Sequence, residues 1–241
     1  MKQYFSVFAL IAQNSIYKIF GLLLLMAAAD FCLAYYHLQV QHSSITNIFR
    51  TGGGSGFGIV LAVTFVLITV ILIRCGDIYS GSQGYTMQRL GLSDRAIFGL
   101  QCLYCGFCWV ILWGVQLAVL FAICKIYYAS PEIASDPLNG QQIFLLFYTS
   151  ELLHSLLPME DGLAWAANLS MVCGLAVSTA YWITRRRNGK PTGQLIFVYW
   201  IVLLFFRREL DNFLLNLAII VYFAIVIGLY TWRGFSRKKE V

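Results

Sequence analysis

Residues 56–73 read Gly-Phe-Gly-Ile-Val-Leu-Ala-Val-Thr-Phe-Val-Leu-Ile-Thr-Val-Ile-Leu-Ile, with no charged side chain among them. An α-helix needs roughly 20 apolar residues to cross the hydrocarbon core of a bilayer, which is about 30 Å thick. The stretch comes close to that length and has no period of two or 3.6 residues, so it is typical of a membrane-spanning helix. Five further apolar runs predict spans at residues 19–36, 96–127, 162–183, 194–206 and 213–232.

The composition of the whole chain agrees with these runs. Of its 241 residues, 59% are hydrophobic and 12% are charged, and the mean hydropathy is +0.72. A soluble globular protein has roughly a quarter of its residues charged. We therefore predict an all-α integral membrane protein with a single transmembrane domain over residues 1–241, and no soluble domain.

There is a seventh apolar run at residues 142–157. Whether it crosses the membrane can be predicted from the distribution of Lys and Arg, which collect on the cytoplasmic side. If this run does not cross, the outer side carries only Arg50, Lys125, Arg207 and Arg208, and the remaining 13 of the 17 basic residues face the cytoplasm. If it crosses, the excess reverses. The sequence therefore predicts six crossings with both chain ends in the cytoplasm, and an outer-leaflet helix over 141–158.

The first 18 residues predict an amphipathic helix that lies on the membrane surface. Its apolar positions recur at roughly helical spacing, and its polar positions fall on the other side. The alternative is a cytoplasmic extension of the first span. The proposed apolar face consists of Tyr4, Phe5, Phe8, Ile11 and Ile16.

Catalytic and metal-binding patterns are not found in the sequence. It contains no HExxH or GxSxG motif, and Cys102, Cys105 and Cys108 lie within a span, where their spacing predicts helix packing. We predict no catalytic residue, no metal, no cofactor in this chain and no nucleic-acid partner. The protein is not expected to be an enzyme.

Three ionisable residues at or near the membrane are candidates for a substrate path, since burying a charge there costs at least a few kcal/mol. Asp30 lies in the outer half of the first span, and Glu151 and His154 share one face of the outer-leaflet helix. The alternative is that they are solvated at the outer interface, or paired with Lys125, Arg207 or Arg208.

The cytoplasmic loop at 80–95 contains the segment Gly-Tyr-Thr-Met-Gln-Arg-Leu-Gly-Leu-Ser-Asp-Arg at residues 84–95. It reads as a short amphipathic helix followed by Ser93, which can cap the long third span. Exposed apolar side chains beside arginines favour insertion into the groove of a partner. The predicted docking residues are Tyr85, Met87, Arg89, Leu90, Leu92 and Arg95.

This loop and the predicted topology resemble the six-helix permease subunits of type-2 ATP-binding-cassette exporters. Those proteins begin with an amphipathic elbow helix, and a short coupling helix precedes their third span. Two departures stand out: the acidic residue usual upstream of the glycine is missing, and Gly91 replaces a common proline. The matching residues are Gly84, Thr86, Leu90, Gly91, Leu92, Ser93 and Arg95.

The resemblance implies a division of labour between subunits. A separate cytoplasmic ATPase would bind ATP and Mg, and its movement would rock two permease copies, identical or homologous, against each other within the lipid. The expected cargo is amphiphilic or lipid-like, such as an antimicrobial peptide or a drug, and the expected location is a bacterial cytoplasmic membrane. The rival hypothesis is a membrane scaffold or assembly factor that docks a cytoplasmic partner without moving cargo.

Overall fold

The computed structural model describes residues 2–13, 15–39, 53–75, 93–129, 151–158, 161–187, 198–202 and 213–235. All of its regular secondary structure in these ranges is helical, and residues 198–202 are helical as well. The bounded helices are α1 (Lys2–Gln13), α2 (Ile16–Gln39), α3 (Gly53–Cys75), α4 (Asp94–Ala129), α5 (Glu151–Leu156), α6 (Gly162–Arg187) and α7 (Phe213–Phe235).

Five of these helices, α2, α3, α4, α6 and α7, are long and apolar enough to cross a membrane. They are also the helices in which the sequence places five of its six predicted spans. The sixth predicted span, 194–206, is described only over residues 198–202. The chain is thus an all-α protein of the multi-pass membrane class.

The first three long helices alternate in direction. The end of α2 meets the beginning of α3, because a Cβ atom added at Gly56 would lie 2.9 Å from the Leu33 side chain. Helix α4 then runs beside α2 in the same direction. The hydroxyl groups of Ser15, just before α2, and Tyr104 on α4 are 2.5 Å apart at one end of this interface.

The later helices give a different pattern. Helix α6 runs antiparallel to α4, since Gly106 lies against Ala176 and the rings of Trp113 and Trp165 are 5.6 Å apart. Helix α7 runs parallel to α6, and the stacked rings of Tyr181 and Tyr230 lie 4.7 Å apart. Two consecutive long helices that run parallel begin at the same end of the bundle.

Small residues allow the close approach of α6 and α7. Ser170, Gly174 and Ser178 recur every four residues along α6, the spacing that brings small side chains to one face of a membrane helix. A Cβ atom added at Gly174 would overlap the ring of the fully buried Phe223. The Ser178 hydroxyl donates to the Gly174 carbonyl of its own helix at 2.6 Å, so it is satisfied without a partner on α7.

The helical residues 198–202 pack in the interior of the bundle. Val198 and Val202 are buried, and the Tyr199 hydroxyl is 2.6 Å from that of Thr179 on α6. The Tyr199 ring also lies 5.9 Å from the ring of Phe65, on α3. This segment therefore joins α3 and α6.

Helix α1 packs against the bundle through part of its apolar surface. Val7 and Ile11 belong to the core, and the ring of Phe8 meets the edge of Tyr104. Phe5 is 77% exposed. Helix α1 ends at Gln13 and α2 begins at Ile16 after a turn at Ser15, so the structure has two helices rather than one extended span. The α4 contact takes up Ile11, which the sequence pattern had placed on the membrane-facing side.

The outer surfaces of α2 and α7 carry large apolar side chains that no described residue covers. Leu24 on α2 is 71% exposed and Leu214 on α7 is 74% exposed. Soluble monomers rarely expose continuous apolar faces of this kind to water. Their exposure fits contact with lipid tails, which are as apolar as leucine.

Candidate functional site

Asp30 is a fully buried carboxyl group in a membrane-spanning helix. It lies on α2 after three alanines, and its relative exposure is 0%. Acidic residues are almost never fully buried unless they are paired, and within membrane spans they usually have a functional role. Asp30 is therefore the first residue of the candidate site.

Gln116 on α4 is the polar side chain that interacts with Asp30 across the α2–α4 interface. It is also fully buried, with a relative exposure of 0%. Within the described part of the chain, neither carboxyl oxygen of Asp30 and neither polar atom of the Gln116 amide has a hydrogen bond of acceptable geometry. The two groups therefore face each other with their hydrogen-bonding capacity unused, which is rare for buried polar atoms.

The position of the pair follows from the direction of the two helices. Asp30 lies 14 residues after the start of α2, and Gln116 lies 22 residues after the start of the longer α4. At 1.5 Å per residue, Asp30 is about 21 Å along α2, beyond the middle of a 30 Å bilayer core. The pair thus lies toward the end of the bundle opposite Ser15.

Helix α5 forms a second polar contact region toward the same end. The Trp113 indole N–H donates to the Leu156 carbonyl at 2.9 Å, and the Asn168 amide donates to the Ser155 carbonyl at 2.9 Å. Leu153 and Leu156 are buried. Helix α5 is thereby attached to both α4 and α6, and its apolar side is covered by the bundle.

The other candidate path residues lie on α5. Glu151 is its first residue, and His154 is half-buried one turn later. Of the predicted outer-leaflet helix over 141–158, the structure describes 151–158. The polar group facing Asp30 is the amide of Gln116 rather than a residue of α5.

Gln116 was not among the residues predicted from the sequence. Its signal is weak, because an isolated glutamine does not interrupt a run of 33 residues that is apolar enough to span, and the same run also contains Gln101. An uncharged amide also adds nothing to a search based on ionisable residues. Only the α2–α4 packing shows that it faces Asp30.

The predicted docking residues fall mostly outside the described part of the chain. Tyr85, Met87, Arg89, Leu90 and Leu92 are not described, whereas Arg95 is exposed in the first turn of α4. The predicted cap is confirmed: the Ala96 N–H lies 3.3 Å from the Ser93 hydroxyl, and the Ser93 carbonyl accepts from the N–H groups of Ala96 and Ile97. Helix α4 therefore begins directly after the loop with a capped first turn.

The cysteines of α4 lie in the packed interior. Cys105 and Cys108 are buried in the hydrophobic core, and Cys102 is half-buried. Within the described ranges, no group of three or more His, Cys, Asp or Glu side chains is arranged to hold a metal ion. The described CxxCxxC segment is thus a packing feature of α4.

Comparisons with known proteins add no family to this description. No protein-family model, curated protein or solved structure matches the chain. What the structure defines is the class: an all-α protein with five helices able to span a membrane and a buried carboxyl–amide pair between two of them.

Proposed function

We propose that this chain crosses the membrane six times and is the transmembrane subunit of an ATP-driven exporter. The support for six crossings is the parallel arrangement of α6 and α7. Since Arg187 ends α6 at one end of the bundle and Phe213 begins α7 at the other, the intervening chain connects opposite ends. Residues 198–202, packed against α3 and α6, lie on that connection.

The resulting orientation agrees with the distribution of positive charge. The end of α3, the start of α4 and the ends of α6 and α7 share one side of the bundle, which we assign to the cytoplasm. Described basic residues near that side include Arg74, Arg95, Arg185, Arg186 and Arg233. Lys125, near the end of α4, lies toward the opposite side.

The observation that carries the proposal is the continuity of α4. This helix has 36 residues, a length of about 54 Å, which exceeds the hydrocarbon core by about 24 Å. It begins directly after the loop proposed to dock the ATPase, and it continues to Gln116 in the buried pair. A force applied at the loop would thus reach the buried pair through one rigid element.

Helix α4 also contacts every other long helix of the described bundle. Its contacts include α1 through Tyr104 and α6 through Trp113. An ATPase that pushes on the loop would therefore act on all of these helices through α4, as rocking of two permease copies requires. The proposed cargo is amphiphilic or lipid-like, and ATP and Mg are bound by the partner ATPase.

A pull-down with the ATPase tests this proposal. Leu90→Asp would place an unpaired carboxylate in the partner's groove, at a cost of several kcal/mol, so recovery of the ATPase should be lost at equal permease expression. Gln88→Asp is the matched control, because it adds the same charge at a polar position of the loop and should retain binding. Undiminished recovery with Leu90→Asp would refute the docking role of the loop and leave only the membrane topology standing.

A further inference from the structure

The donors and acceptors of Asp30 and Gln116 match only in one protonation state. An ionised carboxylate has two acceptor oxygens and no donor, whereas the glutamine amide has one acceptor oxygen and an NH₂ group with two donor hydrogens. If Asp30 is ionised, its oxygens accept from the amide and the Gln116 carbonyl is left without a donor. If Asp30 is protonated, its O–H donates to the Gln116 carbonyl while the Gln116 N–H donates to the Asp30 carbonyl.

Among the residues that the structure describes, no hydrogen bond satisfies the pair. All four polar atoms of the two side chains are buried without a hydrogen bond among the described residues. Each unsatisfied polar group in hydrocarbon costs several kcal/mol, and an unpaired anion costs more. The Gln116 side chain is the one that interacts with the Asp30 carboxyl, so it is the partner available for the closed two-bond arrangement.

The charged side chains of α2 and α4, and His37, lie about 10 Å or more along the helix axes from the pair. On α2 itself, His37 is seven residues beyond Asp30, or about 10 Å along the axis, and Lys18 is near the opposite end. On α4, Lys125 is nine residues beyond Gln116, about 13 Å along the axis. The remaining ionisable side chains on these helices and on α3 and α1 are Tyr4, Tyr17, Cys32, Tyr35, Tyr36, Arg74, Asp94, Arg95, Cys102, Tyr104, Cys105, Cys108 and Cys124, with Lys2, Cys75, Tyr127 and Tyr128 at or near helix ends.

We propose that Asp30 and Gln116 form a proton-binding site that holds α2 against α4 in its protonated state. The ligand is a single proton, carried on the Asp30 carboxyl and shared with the Gln116 carbonyl. Loss of this proton leaves a carboxylate that cannot satisfy the amide, which weakens the contact between the two helices. Separation of α2 from α4 and release of the proton are therefore linked events.

This inference depends on the burial of the pair and not on the proposed ATPase partner. Neither outcome of the pull-down, loss of ATPase binding by Leu90→Asp or its retention, bears on the proton site. The test accordingly needs only the purified full-length chain in detergent or lipid. It reads the protonation of Asp30 directly, without a transport assay.

The first measurement is the infrared difference spectrum between wild type and Asp30→Asn at neutral pH. A protonated carboxyl has a carbonyl band separate from that of a carboxylate, so wild type should show one such band that Asp30→Asn loses. The Asn side chain can still pair with Gln116 through one amide–amide hydrogen bond, which favours folding of this variant. Gln116→Leu should shift the band, because it removes the hydrogen bonds to the carboxyl group.

A second measurement needs no variant. Dicyclohexylcarbodiimide, an apolar reagent, adds to a protonated carboxyl: the carboxyl oxygen bonds to the carbodiimide carbon, the acid proton moves to nitrogen, and acyl migration gives a stable N-acylurea. Mass spectrometry at neutral pH should find this adduct on Asp30 and not on Asp161, an exposed carboxyl that accepts from the Leu163 N–H. Absence of both the infrared band and the adduct on Asp30 would overturn the proposal.

Discussion

The α6–α7 and α2–α4 interfaces are both contacts between parallel helices, but they are built from different chemistry. At α6–α7, Gly174 admits the ring of Phe223, and the Ser178 hydroxyl is satisfied within its own helix. At α2–α4, Asp30 and Gln116 are buried with no hydrogen bond among the described residues. The first interface therefore contributes packing, whereas the second retains polar groups at a cost in stability.

This contrast separates the part that holds the bundle together from the part that is able to move. Close packing of α6 and α7 around Gly174 and Phe223 gives many small dispersion contacts. A buried polar pair gives less stability than apolar residues of the same volume and is retained where its chemistry is needed. We therefore place the fixed half of the molecule at α6–α7 and the responsive half at α2–α4.

The largest expected effect concerns topology, because labelling is all or none. In a background without native cysteines, a cysteine introduced within residues 185–190 or 237–239 should resist an impermeant thiol reagent applied outside sealed cells. A cysteine at Asp161, exposed before α6, should react. Reaction at either basic segment would show that α6 and α7 do not both end in the cytoplasm.

Gly174→Ala should break the α6–α7 interface. The added methyl group would overlap the Phe223 ring, which is fully buried and has little room to move, so the free energy of unfolding should fall by about 1–3 kcal/mol. Thermal unfolding in detergent measures this change.

Gly228→Ala is the matched control on α7. Nothing lies within 4 Å of a Cβ atom added there, and alanine is a better helix former than glycine by roughly 1 kcal/mol. Its stability should be unchanged or raised. A similar loss in both variants would show that helix propensity or insertion, rather than the Phe223 contact, explains the result.

Gln116→Leu should lower stability by about 1–3 kcal/mol, the cost of leaving a buried polar group without its partner. The Asp30 carboxyl would then face an apolar side chain. Gln101→Leu is the comparison variant on the same helix, because Gln101 is also a buried glutamine, at 5% exposure. Equal stability of wild type and Gln116→Leu would mean that Gln116 does not support Asp30.

The smallest effect is expected at residues 198–202. Tyr199→Phe removes the hydroxyl that meets Thr179 at 2.6 Å and should cost about 1 kcal/mol. Tyr222→Phe removes a hydroxyl from a half-buried ring on α7 and should change little. A loss in the second variant as large as that in the first would contradict the special position of Tyr199.

The sequence predicted the long helices well because their apolar runs need no tertiary information. Residues 56–73 can be assigned by length and lack of charge alone, and the structure places 53–75 in one helix. The Ser93 cap was also predicted, since its hydrogen bonds are local. Asp30 was selected as a candidate because an ionisable residue within an apolar run is easily recognised in the sequence.

What the sequence did not predict depends on contacts between distant segments. Gln116 pairs with a residue 86 positions away, and nothing local distinguishes it from Gln101. The burial of Ile11 against the bundle likewise depends on α4, because an amphipathic face looks the same toward lipid and toward a neighbouring helix.

The most direct test of the contrast is the stability of the double variant Asp30→Leu/Gln116→Leu, measured with both single variants in one thermodynamic cycle. If the pair is retained for its chemistry, each single variant should unfold more readily, whereas the double variant should equal or exceed wild type because no polar group remains buried. A double variant destabilised by the sum of the two single changes would contradict the account, since Asp30 and Gln116 would then act independently.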